Sequence, residues 1–457
     1  MSFSRRHVLV GSTALVAFTG LSRRARAQDA QATESYANQV TGYGPLVLDP
    51  EGILDLPAGF TYRVIRQSGE TMDDGLLMPG KPDGMGCFAG EGSQVILVCN
   101  HEVKPRHRDL GPTGIGHRLR DQLPADKVYD TYLDGHPMGG GTTTVVYDLA
   151  EQRVVRQHLS LTGTATNCAG GVTPWRSWLS CEEIELTAGA QSNRDHGWVF
   201  EVPADAQGLV DPIPLKAMGR FEHEAACVDP ATSIVYLTED KDDSLLYRFI
   251  PTTPGQLIDG GRLQGLVIDG APGADTRNWN GAILWRMGDW LDARWVDLED
   301  VESPHEDLRI RGHAAGAALF ARGEGLTWGN GDLFFACTSG GANRSGQIMR
   351  LVPSRDGAAD RLQLFLESAD EQVYDYGDNL TVAPWGDLLV CEDRYTEERT
   401  HLRGVTPEGQ VYTIARNAHA ENAEFAGVCV SPDGSTVFVN VMDPGYTLAI
   451  TGRWHSR

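Results

Sequence analysis

Short apolar runs recur six times along this chain, and each stops abruptly in polar residues. They read VILVCNHE (95–102), SWLSCEEI (177–184), IVYLTEDK (234–241), LFFACTSG (333–340), LLVCEDRY (388–395) and TVFVNVMD (436–443). Most copies follow a turn: TPWRS (173–177), DPATS (229–233), GNGD (329–332), APWGD (383–387) and SPDGS (431–435). Upstream of the turn lies another short segment rich in small residues. β-Branched and aromatic runs bounded by Pro, Gly, Asp and Ser read as strands. Their repetition is the signature of a repeat architecture. Six such units predict an all-β fold, a six-bladed β-propeller with inserted loops, built as one domain around a central channel.

Residues 1–27 stand apart from that pattern. Ser4-Arg5-Arg6-His7 precedes an apolar stretch, Val8 to Leu21, and Ala25-Arg26-Ala27 offers small residues for cleavage. The stretch is too short for a membrane helix. This is the form of a twin-arginine export signal, with cleavage expected after Ala27. The expected mature protein, residues 28–457, is a single propeller domain delivered by the twin-arginine machinery to the periplasm or beyond, with no membrane association after cleavage. Residues 28–50 read as a loose leader, and 103–139 as a charged, glycine-rich insertion without a chemical motif. The tryptophan-rich segment at about 250–320 reads as outer blade strands with loops.

Charge narrows the function. Loss of residues 1–27 removes five arginines and no acid, moving the formal charge from −23 to −28. Such a field repels nucleic acid. It suits a protein whose carboxylates gather cations, and bound cations can reverse the local sign for a small anion. Four of the eight cysteines, Cys99, Cys181, Cys337 and Cys391, repeat at one strand-end position. That recurrence favours buried thiols over cross-links.

Alignment on the turns gives two families of polar positions. Cys168, Glu224 and Asp378 each stand six residues before a turn proline, and Asp83, Glu324 and Glu424 occupy matching strand starts. After the apolar runs come Asn100, Glu182, Glu239, Thr338, Glu392 and Asn440, with Glu102, Glu183, Asp240 and Asp393 adjacent. Taken singly, a carboxylate after a strand is a solvated loop residue. Acids recurring with an asparagine and a thiol around one closed ring would place like charges together, and these repel one another unless cations neutralise them. Numerous oxygen donors suit calcium. A thiolate among them suits a softer metal, with iron the leading candidate beside hard ligands. Arg220 and His223 lie just before Glu224, where they are candidates to grip a phosphate oxygen.

A resemblance covers nearly all of the chain after the leader. Asp83-Gly84-Met85-Gly86, Asn100-His101-Glu102, Gly140-Gly141-Thr142-Thr143-Thr144 and Asn167-Cys168-Ala169-Gly170-Gly171 resemble successive motifs of the PhoX-type alkaline phosphatases. So do the segment Gly219 to Glu224, Asp378-Asn379-Leu380-Thr381-Val382 and Glu424-Phe425-Ala426-Gly427. The resemblance implies hydrolysis of phosphate monoesters by a mixed iron (Fe3+)–calcium cluster in the channel of a six-bladed propeller. It implies Cys168 as a ligand to iron, with Glu183, Glu224, Glu239, Asn379, Glu392 and Glu424 completing the metal set and Arg220 and His223 facing substrate. The expected partner is a small phosphate ester, and the expected state a monomer. Two other readings stay open on the residues alone. One is a calcium-dependent lactonase or esterase propeller using Glu224, Asn379 and Asn440; the other is a non-catalytic calcium-binding propeller.

The leader is directly testable. N-terminal sequencing of the exported protein should begin at Gln28, and the double variant Arg5→Lys, Arg6→Lys should stay in the cytoplasm; export of that variant at the normal level contradicts the twin-arginine reading.

Overall fold

The computed structural model describes residues 35–394 and 399–454, so residues 1–27, the expected export leader, lie outside the described residues. The chain divides into two units, Met1–Ala37 and Asn38–Arg457, and the second carries all the strands among the described residues. Six strands line the centre: Pro82–Ala89, Asn167–Val172, His223–Val228, Gly323–Gly329, Gly377–Val382 and Phe425–Val430. Each pairs antiparallel with the apolar run that follows it in sequence, from Gln94–His101 round to Thr436–Val441. Each central strand also packs on the next, and the sixth returns to the first, so the ring closes. The six recurring runs are thus the second strands of six blades of an all-β propeller.

Closure uses the N-terminal part of this unit. Thr61–Gln67 pairs with Tyr446–Thr451 and becomes the outermost strand of the last blade. Leu54–Pro57 and Leu46–Val47 extend the fifth blade beyond Val411–Asn417. Residues 28–50, expected to be a loose leader, therefore carry one short strand, Leu46–Val47, in their last part. Trp290–Asp297 pairs on one edge with Gln256–Ile268 and on the other with Asp360–Glu367, joining the third and fourth blades into one sheet. This bears out the outer-strand reading of the tryptophan-rich segment. Trp285 is buried there, and Trp295 stacks under the Arg248 guanidinium.

Apolar side chains from facing blades fill the space between them, and burial of that surface is the main favourable term in holding the ring. The four strand-end cysteines lie in these layers, fully buried, and all eight cysteines are free thiols.

One local irregularity repeats in every blade. The pairing of the central strand slips around Asp83, Cys168, Glu224, Glu324 and Asp378 in the first five blades, and around Gly427 in the sixth. A β-bulge leaves one residue out of the ladder and re-aims its side chain. Here the residues released are four acids and the cysteine. Their backbone carbonyls are taken up by neighbouring blades. Asn440 donates to Asp83 O, Asn100 to Cys168 O and Ala169 O, and Thr238 to Glu324 O (2.5–3.2 Å). Glycine lets the bulges approach one another: a Cβ on Gly84 would lie 2.5 Å from Ala169 Cα, and one on Gly325 2.5 Å from Asp378 O.

Asn100 is the most heavily used of these links, since its Oδ1 also accepts from Trp178 and Ser180 (2.9 and 2.8 Å). Replacing Asn100 with Ala strands buried donors and carbonyls and should cost about 2 kcal/mol. Urea unfolding measures this; an unchanged midpoint contradicts the role.

Candidate metal centre at the acidic mouth

The bulged side chains open into a cavity of about 470 Å³ at one mouth of the channel. Asp83, Cys168, Glu224, Glu324 and Asp378 line its floor, joined by Glu424, which stands immediately before the sixth central strand. A second tier comes from the residues that follow the second strands: Glu102, Glu183, Asp240 and Asp393. With Asp443, ten carboxylates among the described residues surround this space against five Lys and Arg side chains. The opposite mouth is different: the far ends of the same strands line an apolar cavity of about 460 Å³ with Val172, Trp178, Leu326, Trp328 and Val382.

Three groups of ligand atoms fall within 4.8 Å of one another: Cys168 with Glu183 and Glu224, Asp83 with Glu102 and Glu424, and Glu224 with Glu324 and Asp378. Glu224 belongs to two of them. Lys104 contacts Glu102 at 2.6 Å, and Arg322 reaches Asp240 at 2.7 Å and Glu324 at 2.8 Å.

Burial and mutual repulsion set the titration of this cluster. Burial pushes Glu224 well above the usual carboxylate range, and Glu324 and Asp378 push it further. Burial and Glu102 do the same to both Asp83 and Glu183. Burial and Asp393 raise Glu424, and raise Asp378 to about 8. The Cys168 thiol is held up by burial and by Glu224 and Glu183. Without added positive charge these groups hold their protons to higher pH than ordinary carboxyls do.

Of the sequence-predicted ligands, Cys168, Glu183, Glu224 and Glu424 converge on this cavity. Glu239 and Glu392 do not, and the reason is strand alternation, which turns adjacent residues to opposite faces. Each is the last residue of its strand and points into the blade, whereas its successor faces the channel. Glu239 accepts the Tyr247 hydroxyl at 2.6 Å. Glu392 accepts from His401 at 2.9 Å and Arg403 at 2.6 Å, and although burial opposes its charge these partners hold its pKa below the usual range. Asp240 and Asp393 are the channel-facing residues that the predicted set lacked, as are Asp83, Glu102, Glu324 and Asp378. The adjacent acids in Glu239-Asp240 and Glu392-Asp393 carry the signal: one of each pair must face the channel.

Asn379 also turns away from the cluster. It lines the apolar mouth, where its Oδ1 accepts from Gly427 N at 2.6 Å and its Nδ2 donates to Asp378 at 2.9 Å, so it orients a candidate ligand instead of acting as one. Arg220 and His223 are corrected likewise. Arg220 is buried and donates to the carbonyls of His196, Leu186 and Ser303 (2.8–3.2 Å), which fastens loops of the second and third blades. His223 precedes the bulge and faces away from Glu224; it hydrogen-bonds Gly219 O at 3.0 Å and stacks on Phe221. Burial pushes its pKa down to about 3, so the ring is neutral. The cations that line the cavity are instead Lys81, Lys104, Arg106, Arg322 and Arg394.

A family profile described as alkaline phosphatase PhoX matches residues 41–445. The chain belongs to the PhoX alkaline phosphatase family. It is accordingly a phosphatase of a metal-dependent family whose members are typically exported. The solved structure of Pseudomonas fluorescens PhoX in complex with vanadate, a transition state analogue, is similar with a TM-score of 0.66 at 18% identity, covering 91% of this chain and 97% of that one. This shows the shared fold. A gluconolactonase from Xanthomonas campestris is similar at 12% identity with a TM-score of 0.41, covering 91% of this chain and all of that one. No relative matches among curated proteins. Among the described residues, no helix is long and apolar enough to cross a membrane.

The raised carboxyls of this PhoX chain fix a pH dependence. Asp378 shifts from an unfolded value of 3.8 to about 8, so its protonated form favours the fold and that contribution is lost as pH rises between those values. The melting point of the metal-free protein should therefore fall from pH 4 to pH 8.5, and calcium should restore it most at the alkaline end. Asp378→Asn should flatten the metal-free profile; a profile that rises toward pH 8.5 contradicts this.

Proposed function

We propose that this PhoX chain hydrolyses phosphate monoesters with a mixed iron–calcium cluster seated in the acidic mouth, acting as an exported monomer on small substrates. The observation that carries the reading is the overlap of two of the three ligand groups at Glu224, inside a cavity where, among the described residues, carboxylates outnumber Lys and Arg ten to five. The donor set fits the ions. Cys168, Glu183 and Glu224 pair a thiol with two carboxylates, which suits iron. Asp83 with Glu102 and Glu424, and Glu224 with Glu324 and Asp378, are all-oxygen groups that suit calcium. Five bulges hold Asp83, Cys168, Glu224, Glu324 and Asp378 in place before any ion arrives, and carbonyl links between blades fix the backbone beneath Asp83, Cys168 and Glu324.

When bound, the ions supply Lewis-acid charge against the phosphoryl oxygens. The chain's own residues do the rest. Acids left unneutralised would exclude a phosphate dianion, so the cluster makes substrate entry conditional on metal. Lys104, standing beside Glu102, and Arg322, bridging Asp240 and Glu324, offer donors at the rim to the non-bridging oxygens. Arg322 holds its carboxylate pair in a fork, which fixes both side chains and leaves its position little freedom. His223 takes no part in proton transfer, being neutral and turned into the blade. Asn379 keeps Asp378 directed at the cavity.

Metal analysis of the purified protein should find iron and calcium, and turnover of p-nitrophenyl phosphate should depend on added calcium. Cys168→Ala should lose iron and at least about 100-fold in kcat while retaining its fold. Glu239→Gln should retain metal but melt at lower temperature. Full phosphatase activity without iron, or an active Cys168→Ala protein, contradicts the reading and favours a calcium-only propeller.

A further inference from the structure

The insertion at residues 103–139 leaves the first blade directly after Glu102, so it rises from the acidic mouth. Over its full length it carries six Lys and Arg residues against five acids, and its basic excess is concentrated in the first half. Between Lys104 and Arg120 there are five Lys and Arg residues against one acid, Asp109, in a protein of formal charge −23. The insertion lines a second, open cavity of about 420 Å³, and Arg106 and His107 line both this cavity and the acidic one. The two spaces therefore share a wall made of basic side chains.

Inside the second cavity the acids are already engaged. Asp134 is held by Arg108 through both oxygens at 2.7 and 2.8 Å, and Asp109 accepts from Gly116 N at 3.0 Å. Arg106 makes no ion pair among the described residues; its Nε donates to His107 at 3.2 Å. His117 and His136 stack face to face with ring centroids 4.5 Å apart, and Arg120 reaches His136 at 3.2 Å. The positive field registers on the histidines. Burial lowers His107, and Arg106, Lys81 and Lys104 lower it further; burial, His136 and Arg108 do the same to His117.

We infer that the insertion is an anion-binding arm beside the phosphoryl site, and that Arg106 selects phosphate esters whose leaving group carries a second negative charge, a carboxylate or another phosphate. This rests on the phosphomonoester reading above, because the arm acts on the leaving group of a substrate whose phosphoryl end sits in the acidic mouth. The acidic mouth acquires its affinity for phosphate from metal, whereas Arg106 on the shared wall carries a guanidinium that makes no ion pair among the described residues.

A matched substrate pair tests it: glycerol 2-phosphate and 2-phosphoglycerate differ by one hydroxymethyl group exchanged for a carboxylate. The metal-replete wild type should show the higher kcat/KM on 2-phosphoglycerate. Arg106→Gln should lower the ratio of the two values about fivefold, the size of one partly exposed ion pair. Arg153→Gln, which makes the same charge change at an exposed pair with Glu151, should leave the ratio unmoved. An unmoved ratio in Arg106→Gln, or equal shifts in both variants, overturns the arm while leaving the phosphatase reading standing. Failure of the wild type to turn over either ester removes that reading and the inference with it.

Discussion

Everything in this molecule is arranged around a single electrostatic constraint, the convergence of like charges at one end of a closed ring. A carboxylate in a buried site costs free energy when ionised, and each neighbour of the same sign adds to the cost. The cluster around Glu224 is therefore stable in two conditions only, protonated or metal-filled. At alkaline pH the first condition fails for groups such as Asp378, whose pKa lies at about 8. A propeller that works there needs multivalent cations as part of its structure. The same cations turn a surface that repels phosphate into one that attracts it.

Two simple features of β structure deliver the donors. The bulge turns Asp83, Cys168, Glu224, Glu324 and Asp378 out of the ladder and toward the axis. Alternation then divides the acids at the ends of the second strands. Glu182, Glu239 and Glu392 point into the blades, where they accept from His196, Tyr247 and Arg403 respectively. Glu183, Asp240 and Asp393 face the channel. Paired acids at a strand end thus serve two purposes at once, one as a blade anchor and the other as a candidate ligand. The sixth blade departs from the pattern: its bulge falls at Gly427, and its acid, Glu424, enters ahead of the strand.

Much of this was legible in the chain itself. Six apolar runs with their turns gave the propeller, and spacing from the turn prolines gave Cys168, Glu224 and Asp378 as channel residues. What failed was register. Choosing Glu239 and Glu392 over Asp240 and Asp393 is an error of one residue, and a period of two makes it a reversal of face. Arg220 looked like a phosphate ligand because it stands near Glu224 in sequence, yet its donors are consumed by backbone carbonyls of loops distant in sequence. The charge excess of residues 104–120 was visible too, but only the shared wall of the two cavities ties it to the site. The strands at Leu46–Val47 and Leu54–Pro57 were missed because they complete a sheet begun hundreds of residues later.

The most direct measurement of the central claim is anomalous diffraction from crystals of the metal-replete protein, collected across the iron absorption edge. The account expects an iron peak within bonding distance of Cys168 Sγ and Glu224, with lighter cations on the carboxylate groups around it. An acidic mouth without iron, or a Cys168 thiol bonded to no metal, would contradict it.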